Sequence, residues 1–311
     1  MKPLRCFELF VDTVATYLLE IDPLRRLLPM GASTDQTLES NVSPDPGLAT
    51  GRLSASDICF SHVQDLRKTF QFEPNLASAR LSEYYSKYSL AFPDETERSA
   101  LSRLEQSLSN PASTLNVFAF LLGNEVGGGA HFKLLTVHDS TFCALEYLWV
   151  APEMRGKSFG RSMNETLNAY LTSRGVACVI AEFQDPALSH ATSQGRDSSN
   201  GITPDQRLVF WKKMGFQAID APYICPPVVG QSSWNCDSLV GVYVFNQERF
   251  EMLRTSSGYR DMVRAYWDTF NTDYTLNSLY RSFSDEIELM KELKLIPLDM
   301  PRTHLPNLGT P

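Results

Sequence analysis

The chain reads as an α/β protein with a mostly antiparallel sheet, flanked by helical segments at both ends. Two observations predict this: three apolar runs joined by short turns, and a strand that passes through a basic, glycine-containing loop into an amphipathic helix. The three runs are Leu115 to Leu122, Ala130 to Val137 and Phe142 to Val150. The turns Gly123-Asn124-Glu125 and His138-Asp139-Ser140 make them an antiparallel meander. After Val150 come Ala151-Pro152-Glu153-Met154-Arg155-Gly156-Lys157-Ser158-Phe159-Gly160-Arg161, and then Phe159, Met163, Leu167, Tyr170 and Leu171 recur on one helical face, with Gly175 as the stop. A helix start at this point aims backbone N–H groups outward and favours an anion, and Arg155, Lys157 and Arg161 add charge of the same sign. The unit is a phosphate loop.

Further along, Val176 to Phe183 is a compact buried strand, Pro204 to Met214 a helix, and Leu239 to Phe245 another strand. Ahead of the meander, Leu81 to Leu90 and Asp94 to Leu108 read as helices, the second opened by Pro93-Asp94-Glu95. Residues 4 to 29 carry an amphipathic helical pattern, and the polar stretch from Gly31 to Arg52 is a linker or long loop. The expected organisation is therefore an N-terminal helical segment and linker at 1–52, a main domain at 53–248, and a helical extension at 249–311 that caps it.

With 28 basic and 36 acidic side chains and a net charge of −8, the surface does not suit nucleic acid or an anionic membrane, so the basic loop is a local feature matched to one polyanionic ligand. The six cysteines are scattered, with no C-x-x-C pair, and read as buried free thiols of a reducing compartment. Glu8 and Asp12 interrupt the N-terminal apolar residues, so neither a signal peptide nor a membrane span is expected, and a cytoplasmic location is. His131, His138 and His190 lack metal-ligand spacing, and no metal is expected.

Two families bind phosphate in such a loop. In a P-loop, Gly156-Lys157-Ser158 fits, but the first required glycine falls on Ala151, followed by Pro152. The segment Leu148-x-Val150-x-Pro152-x-x-Arg155-Gly156-Lys157-x-Phe159-Gly160 instead resembles the GNAT family of acyl-CoA-dependent N-acyltransferases. Arg155 fills the first place of that family's Q/R-x-x-G-x-G/A signature and Gly160 the last, while Ser158 stands where the middle glycine is usual and is tolerable there with a negative φ. A second match lies in Leu208-Val209-Phe210-Trp211-Lys212-Lys213-Met214-Gly215-Phe216, which is similar to the family's aromatic pair before a terminal Gly-Phe. A P-loop protein does not require that pair of segments. The resemblance covers about residues 60 to 248.

The resemblance implies the GNAT fold, a mixed sheet with a splayed strand pair. It implies an acyl-CoA donor, by default acetyl-CoA, and direct attack by the amine of a small molecule within a ternary complex. Leu148, Trp149 and Val150 would meet the pantetheine arm, with a backbone N–H near Val150 polarising the thioester carbonyl. Arg155, Gly156, Lys157, Ser158, Phe159, Gly160 and Arg161 would take the pyrophosphate, and Trp211 would border the coenzyme. For the base that deprotonates the amine, Glu146 is the first candidate, placed by period-two alternation on the face of Leu148 and Val150, and Glu182 the second. Many members carry a tyrosine where Trp211 stands; an indole cannot supply that proton, so Tyr223 is the candidate substitute acid. Glu182 or Asp185 suits a cationic substrate, while His190 and Arg196, in the polar insertion from Asp185 to Pro204, suit a substrate carboxylate. A non-catalytic acyl-CoA sensor and a P-loop nucleotide binder are the alternatives, and a homodimer is compatible with the sequence.

Overall fold

The structure is a computed structural model, and it describes residues 62–93, 95, 98–185, 203–225, 238–270, 278–290, 293–300 and 303. The N-terminal helical segment, the linker, His190 and Arg196 lie outside these.

Among the described residues, eight strands form one sheet in the order β1-β2-β3-β4-β5-β7-β6-β8. They are β1 (His62–Asp65), β2 (Leu115–Leu122), β3 (Glu125–Val137), β4 (Ser140–Val150), β5 (Cys178–Gln184), β6 (Gln217–Ile219), β7 (Ser238–Val244) and β8 (Leu295–Pro297). All neighbours are antiparallel except β4 and β5. The meander β2 to β4 turns where expected, through Gly123 at φ 62° and through His138 and Asp139 at φ 48° and 62°. These are the left-handed conformations that tight hairpins need.

The described helices are α1 (Leu66–Phe72), α2 (Pro74–Ala91), α3 (Leu101–Ser109), α4 (Phe159–Ser173), α5 (Pro204–Lys213), α6 (Gln247–Leu253), α7 (Ser256–Asp268) and α8 (Ser278–Leu289). One face of the sheet is covered by α4 and α5, through Phe159, Met163, Leu167, Leu171, Leu208 and Trp211. The other is shared by α1 to α3, with Leu66, Tyr84, Tyr88 and Leu104, and by α6 to α8, with Phe250, Tyr259, Trp267 and Ile287. The C-terminal segment was expected only as helices; it also contributes β8, which pairs with β6.

The helix expected from Asp94 starts at Leu101 instead. Arg98 explains the delay: its guanidinium donates to the carbonyls of Phe92 and Pro93 at 2.9 and 2.7 Å and so fastens the chain in a loop. Gly127, Gly128 and Gly129 let the helices close onto β3. A Cβ at Gly128 would lie 2.6 Å from both Met163 Sδ and the Trp149 carbonyl.

Candidate active site

The parallel pair β4·β5 holds register from Phe142↔Cys178 to Leu145↔Ala181, after which no further pairing between the two strands is seen among the described residues. Both strands continue past that point, β4 to Val150 and β5 to Gln184, so they part into a fork. Glu146 and Glu182 are the first residues beyond the last pair, one on each arm.

The ladder between β3 and β4 shifts at the same place: Phe132 faces Leu145 and His131 faces Tyr147, leaving Glu146 as the extra residue of a bulge. The bulge reverses the alternation of side chains, which corrects the period-two placement of Glu146. Leu148 and Val150 pack toward α4, whereas Glu146 points to the opposite face and meets Lys133 Nζ at 2.5 Å. Lys133 is 5% exposed, donates to Thr269 Oγ1 at 2.7 Å, and lies 4.6 Å from the centroid of Phe270. The residues just after α7 thus help to seat the Lys133–Glu146 pair.

Backbone direction at the fork follows from one bond. Ala151 N donates to Gly127 O on β3 at 2.9 Å, so by alternation the amides and carbonyls of Val150 and Leu148 point away from β3, to the side β5 has left. Arg155 Nε reaches the Val150 carbonyl at 3.3 Å from that open side. Trp149 alternates the other way; its side chain is buried against α2 and donates to Tyr84 Oη at 3.0 Å.

Below the fork the chain makes a single 3₁₀ turn, Pro152–Met154, then the loop into α4. Gly156 has φ 73° and Ser158 φ 59°. The expected negative φ at Ser158 is therefore corrected: the residue holds the left-handed conformation that the usual glycine would hold, at a steric cost. The first intrahelical bond of α4 is Ser162 N to Ser158 O, so the amides of Gly160 and Arg161 sit at the helix's positive end. At Gly160 α4 packs closely on β4, with Val150 Cγ2 only 3.2 Å from an added Cβ. The ring of Phe159 is buried in the core, so only its backbone borders the loop. Lys157 Nζ folds back onto the Glu153 carbonyl at 2.8 Å, and Arg161 is exposed.

Glu182 is partly buried on the β5 arm of the fork. Tyr223 Oη donates to its Oε1 and Cys225 Sγ to its Oε2, the latter at 3.3 Å. Burial pushes its pKa up to about 7, and the nearby Glu146 charge adds to this, against the opposing pull of the Cys225 bond and Lys133. The sequence singled out Glu182 and Tyr223 separately; the fold joins them. Tyr223 is 1% exposed and borders a 10 Å³ void on the α7 side of the sheet, with Tyr266 and Glu182.

On the other side Glu182 lines a cavity of 160 Å³ that occupies the fork. Its walls are Leu148 and Tyr147 of β4, Phe183 of β5, Phe92 after α2, and Arg207, Leu208 and Trp211 of α5. Trp211 packs on Phe183 at 5.1 Å between centroids and on Phe216 at 4.9 Å. Helix α5 opens with a capping box at Thr203 and Gln206 and ends at Gly215, φ 87°, the stop read from the sequence. Asp185 is buried at the end of β5. Sequence reasoning missed Lys133 and Arg207. A lysine inside the apolar run Phe132 to Leu135 was a usable signal, because a buried ammonium calls for a carboxylate.

Residues 80–192 match the family described as "Acetyltransferase (GNAT) family". That stretch, about a third of the chain, is what is similar to the GNAT family. The match agrees with the GNAT fold and the acyl-CoA-dependent N-acetyltransferase class read from the sequence, and that family's donor is acetyl-CoA. No protein of curated function matches the chain. Among solved structures, the chain is similar to a GNAT-family protein of Bacteroides thetaiotaomicron at 12% identity, covering 62% of this chain and 96% of that one, with a TM-score of 0.42. It is similar to an aminoglycoside 6'-N-acetyltransferase complexed with coenzyme A at 14% identity (59% and 96% covered, TM-score 0.39). The ribosomal-protein-S18-alanine N-acetyltransferase of Escherichia coli is also similar, at 14% identity (60% and 94%, TM-score 0.36). No described helix is long and apolar enough to cross a membrane, and no group of metal-ligating residues occurs among the described residues.

Proposed function

We propose that the protein transfers an acyl group, by default acetyl, from acyl-CoA to the amine of a small cationic molecule, with Glu182 as the base. The fork of β4 and β5, with one carboxylate on each arm, carries this reading. Coenzyme A fits the loop from Arg155 to Arg161 with its pyrophosphate on the amides at the start of α4, and Arg155 and Lys157 supply charge. The pantetheine arm then runs along the open edge of Leu148 and Val150, where the Val150 amide is aimed to polarise the thioester carbonyl.

Glu182 suits the base better than Glu146, which is held by Lys133. A carboxylate has about four acceptor positions, and Tyr223 and Cys225 take two, so Glu182 keeps capacity to accept a proton from the attacking amine. Two carboxylates and the rings of Phe92, Tyr147 and Trp211 around one cavity favour a cationic acceptor, and Asp185 extends the acidic side. Tyr223 serves as the anchor of Glu182 in this scheme, not as the acid.

The test is calorimetric titration with acetyl-CoA, followed by thiol release across polyamines, amino acids and aminoglycosides. Binding with turnover that collapses in Glu182→Gln at unchanged coenzyme affinity supports the reading. Binding without turnover by any amine would favour the acyl-CoA sensor, which the departures at Ser158 and Trp211 make the second reading.

A further inference from the structure

The GNAT reading leaves the leaving group without an acid. Trp211 has only an indole N–H, which cannot give up a proton. Tyr223 is committed to Glu182 and borders the void on the far side of the sheet, not the cavity of the fork. The Tyr147 phenol is hydrogen-bonded to Tyr88, and burial with the neighbouring Glu146 charge pushes its pKa up, which makes it a poor donor.

We propose, resting on the acyltransferase reading, that the Arg207 guanidinium faces the departing coenzyme A thiolate and stabilises it by charge in place of a proton donor. Arg207 lies one helical turn before Trp211, on the same face of α5, and both side chains line the cavity of the fork. Among the described residues lining that cavity it is the only cation, opposite Glu146 and Glu182. Its place in the first turn of α5 adds the positive end of that helix's dipole.

The reaction moves one negative charge from Glu182 to sulfur. As the amine nitrogen bonds to the thioester carbon, its proton passes to Glu182, and the carbon–sulfur bond breaks with its electron pair on sulfur. Glu182 becomes neutral, and the new charge is a thiolate in the cavity that Glu146, already paired with Lys133, also borders. Without a cation in the cavity that thiolate is left buried with no partner charge. With Arg207 it leaves as an ion-paired anion and takes up a proton from water after release. An arginine stays charged at any working pH, so it acts through its field and not as an acid.

The test needs no acceptor. The thiol of bound coenzyme A is titrated by its ultraviolet thiolate absorbance, against a desulfo-coenzyme A blank that removes the protein's own cysteines. Coenzyme A free in solution sets the baseline, and an adjacent cation lowers its thiol pKa by about one unit or more, which is about tenfold more thiolate at neutral pH. The wild type is expected to show that lowering, Arg207→Lys to keep part of it, and Arg207→Gln to lose it while still binding coenzyme A. Bound coenzyme A whose thiol titrates alike in wild type and Arg207→Gln overturns the inference. Failure of the wild type to bind coenzyme A at all would overturn the acyltransferase reading beneath it.

Discussion

Replacing Glu182 by Gln is expected to change how stability depends on pH, by an amount the structure sets. The carboxyl titrates at about 7 in the folded protein against 4.5 for the ordinary group. Between those values the unfolded chain has lost a proton that the folded chain keeps, so stability falls as pH rises, and above about 7 the full cost is present. A difference of roughly 2.5 units corresponds to about 3 kcal/mol at 1.36 kcal/mol per unit. Gln can still accept from Tyr223 and carries no charge to bury. Urea denaturation of both proteins at about pH 5 and about pH 8.5 should therefore show the variant gaining on the wild type by up to about 3 kcal/mol at the higher pH. A difference between the two proteins that is the same at both pH values would refute the claim that Glu182 is an enclosed, easily protonated acid. The same titration predicts that acyl transfer rises with pH through about 7, with a loss of about 10²- to 10⁴-fold in Glu182→Gln, the usual range for a missing base.

Lys133→Met strands Glu146 in the interior and is expected to cost about 3–5 kcal/mol in denaturant unfolding, much of it regained when Glu146→Leu is added. Ser158→Gly removes the steric cost of φ 59° but loosens the unfolded chain, for a net gain of about 0.5 kcal/mol, whereas Ser158→Val should lose more than about 1 kcal/mol in the same assay. Gly128→Ala drives a methyl against Met163 and the Trp149 carbonyl and should destabilise by about 1–3 kcal/mol, seen as a lowered Tm.

What was legible in the sequence is what local chemistry determines. The three strands of the meander, the basic loop, α4 with its stop at Gly175, and α5 ending at Gly215 each carry their own periodicity and turn residues. The fork was legible only through the resemblance, because no local signal says where two parallel strands stop pairing. The bulge at Glu146 was invisible for a related reason. It is a mismatch between two strands and not a property of one, and a single extra residue turned the side chain to the other face. β8 was missed because Leu295-Ile296-Pro297 is three residues long and ends in proline, at the edge of the sheet where proline is tolerated. The joining of Tyr223, Cys225 and Glu182 depends on a chain return more than forty positions later, beyond the reach of spacing rules.

Whether an acyl-CoA thioester lies in the fork of β4 and β5 is decided by a crystal structure with acetyl-CoA. The pyrophosphate is expected on the amides between Gly156 and Arg161, the pantetheine along Leu148 and Val150, and the thioester sulfur between Trp211 and Arg207. Coenzyme A bound elsewhere, with those amides facing solvent and the fork empty, would contradict this placement.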